Sequence, residues 1–147
     1  MPDVIVGDSF VYPLLMGIWK KLNTDPLLRD LCPGGVHDGN VETSHGAAVK
    51  MPYIRISETD ERMADRLTTT ASDVFVHIEI LSNYRGSKEV LMICNRIHFL
   101  LHRQERQLET PGWHTNMIVK HSQVVLTTGD NDRNGIMRFR VKGQPVG

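Results

Sequence analysis

The sequence predicts an α/β fold of the α+β type, in a single domain over residues 1–147. Three observations carry this. Apolar residues recur at three- and four-residue spacing in two long stretches, they alternate with period two in three others, and 40% of the 147 residues are hydrophobic. A chain of this length buries roughly two-thirds of its unfolded surface around one core, so no second domain is needed.

The first helix is expected over residues 13–22, because Pro13 has a preset φ and lacks only an N–H that a first turn leaves unbonded. Leu14, Leu15, Ile18, Trp19 and Leu22 then form one stripe, read as core, with Lys20 and Lys21 outside it. Asp25 before Pro26 is a helix start, so residues 25–31 read as a short helix burying Leu27, Leu28 and Leu31 and ended by Pro33-Gly34-Gly35. Residues 36–51 are rich in Gly, His and Asn and read as loop, with a short strand over residues 36–38.

Residues 53–58 alternate, with Ile54 and Ile56 on one face, as a half-buried strand does. Residues 59–70 carry Asp60, Glu61, Arg62, Asp65 and Arg66 with few apolar neighbours and read as an exposed loop or hairpin tip. The strongest alternation covers residues 73–81, where Val74, Val76, Ile78 and Ile80 oppose Phe75, His77, Glu79 and Leu81.

Gly86-Ser87 opens the second main helix, which runs to about Arg103. Val90, Ile93, Cys94, Ile97 and Leu101 fall within a narrow arc when each residue advances about 100°. The opposite side places Met92 and Phe99, seven apart, among Lys88, Arg96, Arg103 and Arg106, which makes it a candidate docking surface. Residues 117–128 and 135–142 read as strands joined across the Asp-rich turn 129–134, which holds Asp130, Asp132 and Arg133. The second of these strands alternates cleanly, with Met137, Phe139 and Val141 inside and Arg138, Arg140 and Lys142 outside. The first is broken by Lys120-His121-Ser122-Gln123, where a bulge or bend is expected.

Chemical motifs are sparse. Cys32 and Cys94 lack a Cys-x-x-Cys or ligand cluster and read as two buried thiols. His98 and His102 lie four apart on one helical side, but Phe99 stands where a zinc-protease pattern needs Glu, and they read as a polar helix margin. Asp130-Asn131-Asp132 starts like a calcium loop, yet the glycine comes at Gly135 and Val141 occupies the twelfth position. Ser44-His45 and His121-Ser122 are adjacent without a nucleophile-elbow pattern. The expectation is a non-enzymatic protein with no catalytic residue, metal or cofactor. Arg85, Lys88, Arg96, Arg103, Arg106, Arg138 and Arg140 crowd one half, but the pI near 7.1 and the absence of a nucleic-acid motif favour solvated faces over sequence-specific nucleic-acid binding. No apolar run reaches the roughly 18 residues of a membrane span, and Met1-Pro2-Asp3-Val4 lacks the start of a secretory signal, so a soluble intracellular protein is expected.

Charge is divided along the chain. Residues 1–73 hold 7 Lys/Arg against 11 Asp/Glu, a net of −4, and residues 74–147 hold 10 against 6, a net of +4. Complementary halves suit attraction within a subunit or between subunits.

The order and spacing of several segments resemble the tail-completion, or tail-terminator, proteins of long-tailed bacteriophages. These are Leu22-Asn23-Thr24-Asp25-Pro26-Leu27-Leu28, Val36-His37-Asp38-Gly39, Met51-Pro52-Tyr53-Ile54-Arg55-Ile56, Val76-His77-Ile78-Glu79-Ile80, the helix with Cys94-Asn95-Arg96-Ile97-His98-Phe99-Leu100-Leu101-His102, and Asn134-Gly135-Ile136-Met137-Arg138-Phe139-Arg140-Val141. The resemblance implies a mainly antiparallel sheet packed on one side by two main helices. It also implies a homo-oligomeric ring, usually of six, that caps the head-proximal end of the tail tube in the virion, ends tube polymerisation and offers the head-joining surface. Its partners would be its own copies, the tail tube protein and a head-completion or neck protein, met in the host cytoplasm during assembly. Met92, Arg96, Phe99 and Arg103 on the helix, with Asp60, Arg62, Asp65, Arg66, Asp130, Asp132 and Arg133 in the two loops, are the candidate interface residues. A neck or minor tail protein of similar build, a nucleic-acid module and a small histidine-using hydrolase are the alternatives.

Overall fold

The computed structural model describes residues 9–38, 50–63, 71–129 and 132–146. Helix α1 spans Val11–Asn23, α2 Pro26–Leu31 and α3 Lys88–Leu101, with a 3-10 turn at Glu105–Gln107. Strands β1 (Val36–Asp38), β2 (Tyr53–Met63), β3 (Ser72–Ser82), β4 (Trp113–Thr128) and β5 (Asp132–Pro145) form one sheet in the order β1-β2-β3-β5-β4. Every pairing is antiparallel except β1 with β2. The α+β class is therefore correct.

One core holds the fold together. Ile54, Ile56, Val74, Val76, Ile78, Ile80, Ile118, Met137, Phe139 and Val141 point from the sheet into it, and Leu14, Ile18, Leu22, Val90, Ile93, Cys94, Ile97 and Leu101 meet them from α1 and α3. The period-two and 3.6-residue stripes read from the sequence are thus the two sides of one buried layer. The other side of the sheet carries half-buried polar and aromatic side chains, with no described helix over it.

Two core assignments are corrected. Trp19 remains 40% exposed and Leu27 48% exposed. Both lie at the margin of their helical stripes, where a rotation of a few tens of degrees decides burial. Trp19 does find a partner, since its Nε1–H donates to the Val36 carbonyl at 3.2 Å.

The expected loop 59–70 is corrected as well. A bulge between Ile56 and Glu58 lets β2 continue to Met63, pairing Thr59, Asp60, Glu61 and Arg62 with Val76, Phe75, Val74 and Asp73. Charge density suggested a loop, but alternation sends Asp60 and Arg62 to the open face of the sheet and turns Glu61 the other way. There Glu61 accepts from the Phe10 N–H at 3.1 Å, from Ser9 Oγ at 3.0 Å and from Ser72 Oγ, which ties the entry of α1 to the sheet. Residues 64–70 lie outside the described residues. The turn predicted over 129–134 is shorter, because Asp132 already pairs with Thr128 in the β4–β5 ladder. The bulge expected near His121 is present between Lys120 and Ser122.

Gly135 sets how closely α3 approaches the sheet. A Cβ there would lie 2.7 Å from Val90 Cγ1 and 3.2 Å from Cys94 Sγ. Gly135→Val is therefore expected to push α3 outward and destabilise the protein by about 1–3 kcal/mol, the usual range for overpacking. Denaturant unfolding checks this, and an unchanged midpoint would show that the helix shifts freely.

Candidate interaction surfaces

Three surfaces stand out, and none resembles a catalytic cleft. The first is a groove of about 360 Å³ beside α1, lined by Tyr12, Leu15, Met16, Trp19, Asp38 and Ile56. Tyr12, Met16 and Trp19 recur at four- and three-residue spacing, so they share a second apolar stripe of α1, next to the buried one. They are 68%, 48% and 40% exposed. Exposed apolar side chains gathered along one groove make it a candidate interaction surface. The sequence held the signal in the Tyr12–Met16–Trp19 spacing, but assigning Trp19 to the core hid it.

The second surface is the outer side of α3. Phe99 is 64% exposed and Met92 is 44% exposed, as the helical arc predicted. Arg96 does not behave as the predicted free basic residue. Its Nε and Nη2 donate to the two Asp25 carboxylate oxygens at 2.8 and 2.7 Å, and its guanidinium lies 4.8 Å from the Phe99 ring centroid. The same Asp25 caps α2 by accepting the Leu28 N–H at 2.9 Å. Arg96 is thus a tether between α2 and α3 that also props Phe99 outward. Arg103 lies just beyond α3 at φ 60° and is exposed, while its N–H donates to the Ile118 carbonyl at 2.7 Å.

The third surface is the open face of the sheet. Phe75 sits at its centre, with Arg138, Arg140 and Arg62 guanidinium carbons 4.0, 5.6 and 6.0 Å from its ring centroid and the His121 ring edge-on at 5.5 Å. Arg140 is held by Asp73 through three hydrogen bonds of 2.7–3.3 Å, and Arg55 pairs with Glu79 at 2.6 Å. Arg62 makes a looser contact with Asp60 at 3.4 Å. The Arg140 hydrogen bonds hold the Asp73 carboxyl below the usual carboxylate range, against a smaller opposing push from burial.

The predicted site residues therefore divide among surfaces. Met92 and Phe99 share the α3 face, with Arg96 beneath, whereas Arg103, expected on the same face, follows the end of the helix with left-handed backbone and is not on its arc. Asp60 and Arg62 belong to the open sheet face. Asp132 and Arg133 start β5, where Arg133 Nη1 donates to the Asp132 carbonyl at 3.3 Å. Asp65, Arg66 and Asp130 lie outside the described residues. The residues that sequence reasoning missed are Tyr12 and Met16 on α1 and Phe75 with Arg138 on the sheet.

The chemical candidates make contacts within the fold. The His98 and His102 rings stack with centroids 4.5 Å apart, and His102 Nδ1 accepts the Lys120 N–H at 3.0 Å. Burial, more than the neighbouring Lys120, lowers the His98 pKa. Among the described residues no three His, Cys, Asp or Glu side chains are placed to hold a metal ion. Cys32 and Cys94 are buried free thiols, as expected, and burial is the main cause that pushes them up to about 12 and about 11. Such thiols are poor nucleophiles because little thiolate forms. Among the described residues no helix is long and apolar enough to cross a membrane.

No protein-family model matches the chain, and no curated protein sequence does. Among solved structures, a chain of the "Virion of native gene transfer agent (GTA) particle" superposes with a TM-score of 0.82 at 13% identity, covering 94% of this chain and 99% of that one. At that identity the likeness establishes a shared fold: this chain is similar, over nearly its whole length, to a component of a virion particle.

Proposed function

We propose that the protein is a structural, non-enzymatic component of a phage-like virion, a tail terminator whose copies form a ring on the head-proximal end of the tail tube. The observation that carries this reading is the end-to-end likeness to a gene transfer agent virion chain, in which neither chain leaves a domain unmatched. The tail-terminator resemblance of the sequence narrows it to the tube cap, with six copies as the expected number.

The surfaces support association with a second copy. The α1 groove lies in the half of net charge −4, with Asp38 at its rim, and the Phe99 face lies in the half of net charge +4. A groove on one side and an aromatic projection on another make a head-to-tail contact, which closes into a ring when the rotation fits. The ends of β2 and β5, with Asp60, Arg62, Asp132 and Arg133, are the proposed contacts to the tube and neck.

Mass photometry is expected to show a species well above 16.7 kDa, alone at high concentration or with tail tubes present. A strictly monomeric protein that ignores tubes would defeat the reading. A ring that binds the portal and not the tube would reassign it to the neck. Phe99→Ala and Trp19→Ala are each expected to weaken association by about 1–3 kcal/mol, as anchors do. Phe99→Ala should leave the subunit's own stability within about 0.5 kcal/mol. Mixing is more decisive. Phe99→Glu and Met16→Glu should each fail to assemble alone, yet pair into dimers when combined, because one intact contact remains. Assembly of both single variants would move the interface elsewhere.

A further inference from the structure

We infer that the open face of the sheet around Phe75 and Arg138 is a site for the phosphodiester backbone of nucleic acid, read without regard to sequence. The inference is made for a single subunit and stands apart from ring formation. Four cations, Arg62, Arg138, Arg140 and Lys142, occupy neighbouring register positions of β2 and β5 around Phe75 and Asp73 on β3. Against them, among the residues whose side chains are described, stand Asp60 and Asp73, so a positive surplus remains. The cations are not equivalent. Arg140 is paired with Asp73 through Nε and Nη2, and Arg62 contacts Asp60.

Arg138 is the exception. Among the described residues it forms no ion pair, and its guanidinium rests 4.0 Å from the Phe75 ring centroid. Its Nε and the Nδ1 of His77, its partner across the β3–β5 ladder, are both buried without a hydrogen bond. An aromatic ring that fixes a guanidinium in place lowers the entropy lost when its planar fork takes an anion. Phosphate suits this fork because it accepts two parallel N–H bonds. Phe75 is half-covered by the arginines, so it serves as a platform for Arg138 rather than for a base, and no side chain here is placed to read base edges.

The test is fluorescence anisotropy with short fluorescein-labelled DNA of arbitrary sequence, single-stranded and duplex, across a salt series. Wild-type protein should bind either form with an affinity that falls as salt rises. Arg138→Ala should weaken binding about ten-fold at low salt and reduce the slope of log Kobs on log salt by about one per engaged subunit. Arg138→Lys should recover part of the loss, and Phe75→Leu should weaken binding with the charge unchanged. Arg85→Ala removes the same charge from an exposed position before α3 and should match wild type. If Arg138→Ala lowers the melting temperature, Arg138→Gln and Phe75→Leu carry the same comparison. Equal affinity and equal slope for wild type, Arg138→Ala and Arg85→Ala would overturn the site. Tighter capture of poly-L-glutamate than of DNA would also overturn it, assigning the face to an acidic protein partner.

Discussion

Phe139→Ala is expected to lower the unfolding free energy by about 3–5 kcal/mol, the largest loss from any single truncation considered. Phe139 is fully buried in the middle of β5, paired with Val76 of β3 and Lys120 of β4. Its ring lies among side chains from both central strands, and the ladders on either side hold the backbone in place. The sheet therefore cannot collapse into the vacated space, and both the lost transfer free energy and the cavity are felt. Phe139→Leu should cost less than half as much, because it refills most of the volume. Denaturant unfolding monitored through Trp113, itself buried with its ring centroid 5.1 Å from that of Phe10 and tilted by 32°, reports the transition. A loss below about 1 kcal/mol for Phe139→Ala would mean that the layer repacks, contrary to a rigid two-sided core.

The second large effect is expected at Asp25. Its carboxylate caps α2 at Leu28 and pairs bidentately with Arg96 of α3, so one side chain closes two elements separated by 71 positions. Asp25→Ala removes a cap and leaves Arg96, whose side chain is only 24% exposed, without its anion. Loss of the cap and of a partly desolvated pair together should destabilise the protein by about 2–4 kcal/mol, discounted because Arg96 keeps some water. Asp25→Asn retains an acceptor for the cap and should lose about half of that. The same tether props Phe99, so Asp25→Ala should also weaken any association that uses the α3 face. If Asp25→Ala and Asp25→Asn are equally mild, the pair is screened and the packing of α2 on α3 is apolar in origin.

Asp25 and Asp73 predict the acid limit. Hydrogen bonds from Arg96 and Arg140 hold their carboxyls below the ordinary value of 3.8. A carboxylate with a depressed folded-state pKa contributes stability that is fully present above its unfolded value and lost as pH falls through the folded one. Stability should therefore decline below about pH 4 and keep declining beneath it. His98 adds a loss that begins at higher pH. Its folded pKa lies below the ordinary 6.5, so protonation favours the unfolded chain and stability falls as pH drops below that value. His98→Leu should flatten this upper part of the profile, while the lower part should respond to Asp25→Asn.

Local sequence by itself determined those elements whose apolar residues follow a clear period. The stripe of Leu14, Ile18 and Leu22, the arc of Val90, Ile93, Cys94, Ile97 and Leu101, and the alternations through Val74–Ile80 and Met137–Val141 are all buried as read. In each, the period of the apolar residues matches the geometry of only one backbone, so burial of one face selects it. The Asp25-Pro26 cap and the irregularity at His121 were equally legible, because each depends on neighbours along the chain.

Tertiary structure decided everything that depends on which partner arrives. Thr59–Met63 looks like loop because it is charged, and only the edge of β3 makes it a strand. Trp19 looks like core, yet the β1–β2 side of α1 leaves it at the rim of a groove. Arg96 looks like a free surface cation, but Asp25 lies 71 positions away in sequence and 2.7 Å away in space. Phe75, Arg138 and His77 come together only through the β3–β5 register. Periodicity specifies which face of an element is apolar, whereas pairing across long sequence separations specifies what that face meets, and the candidate surfaces of this protein are made of such meetings.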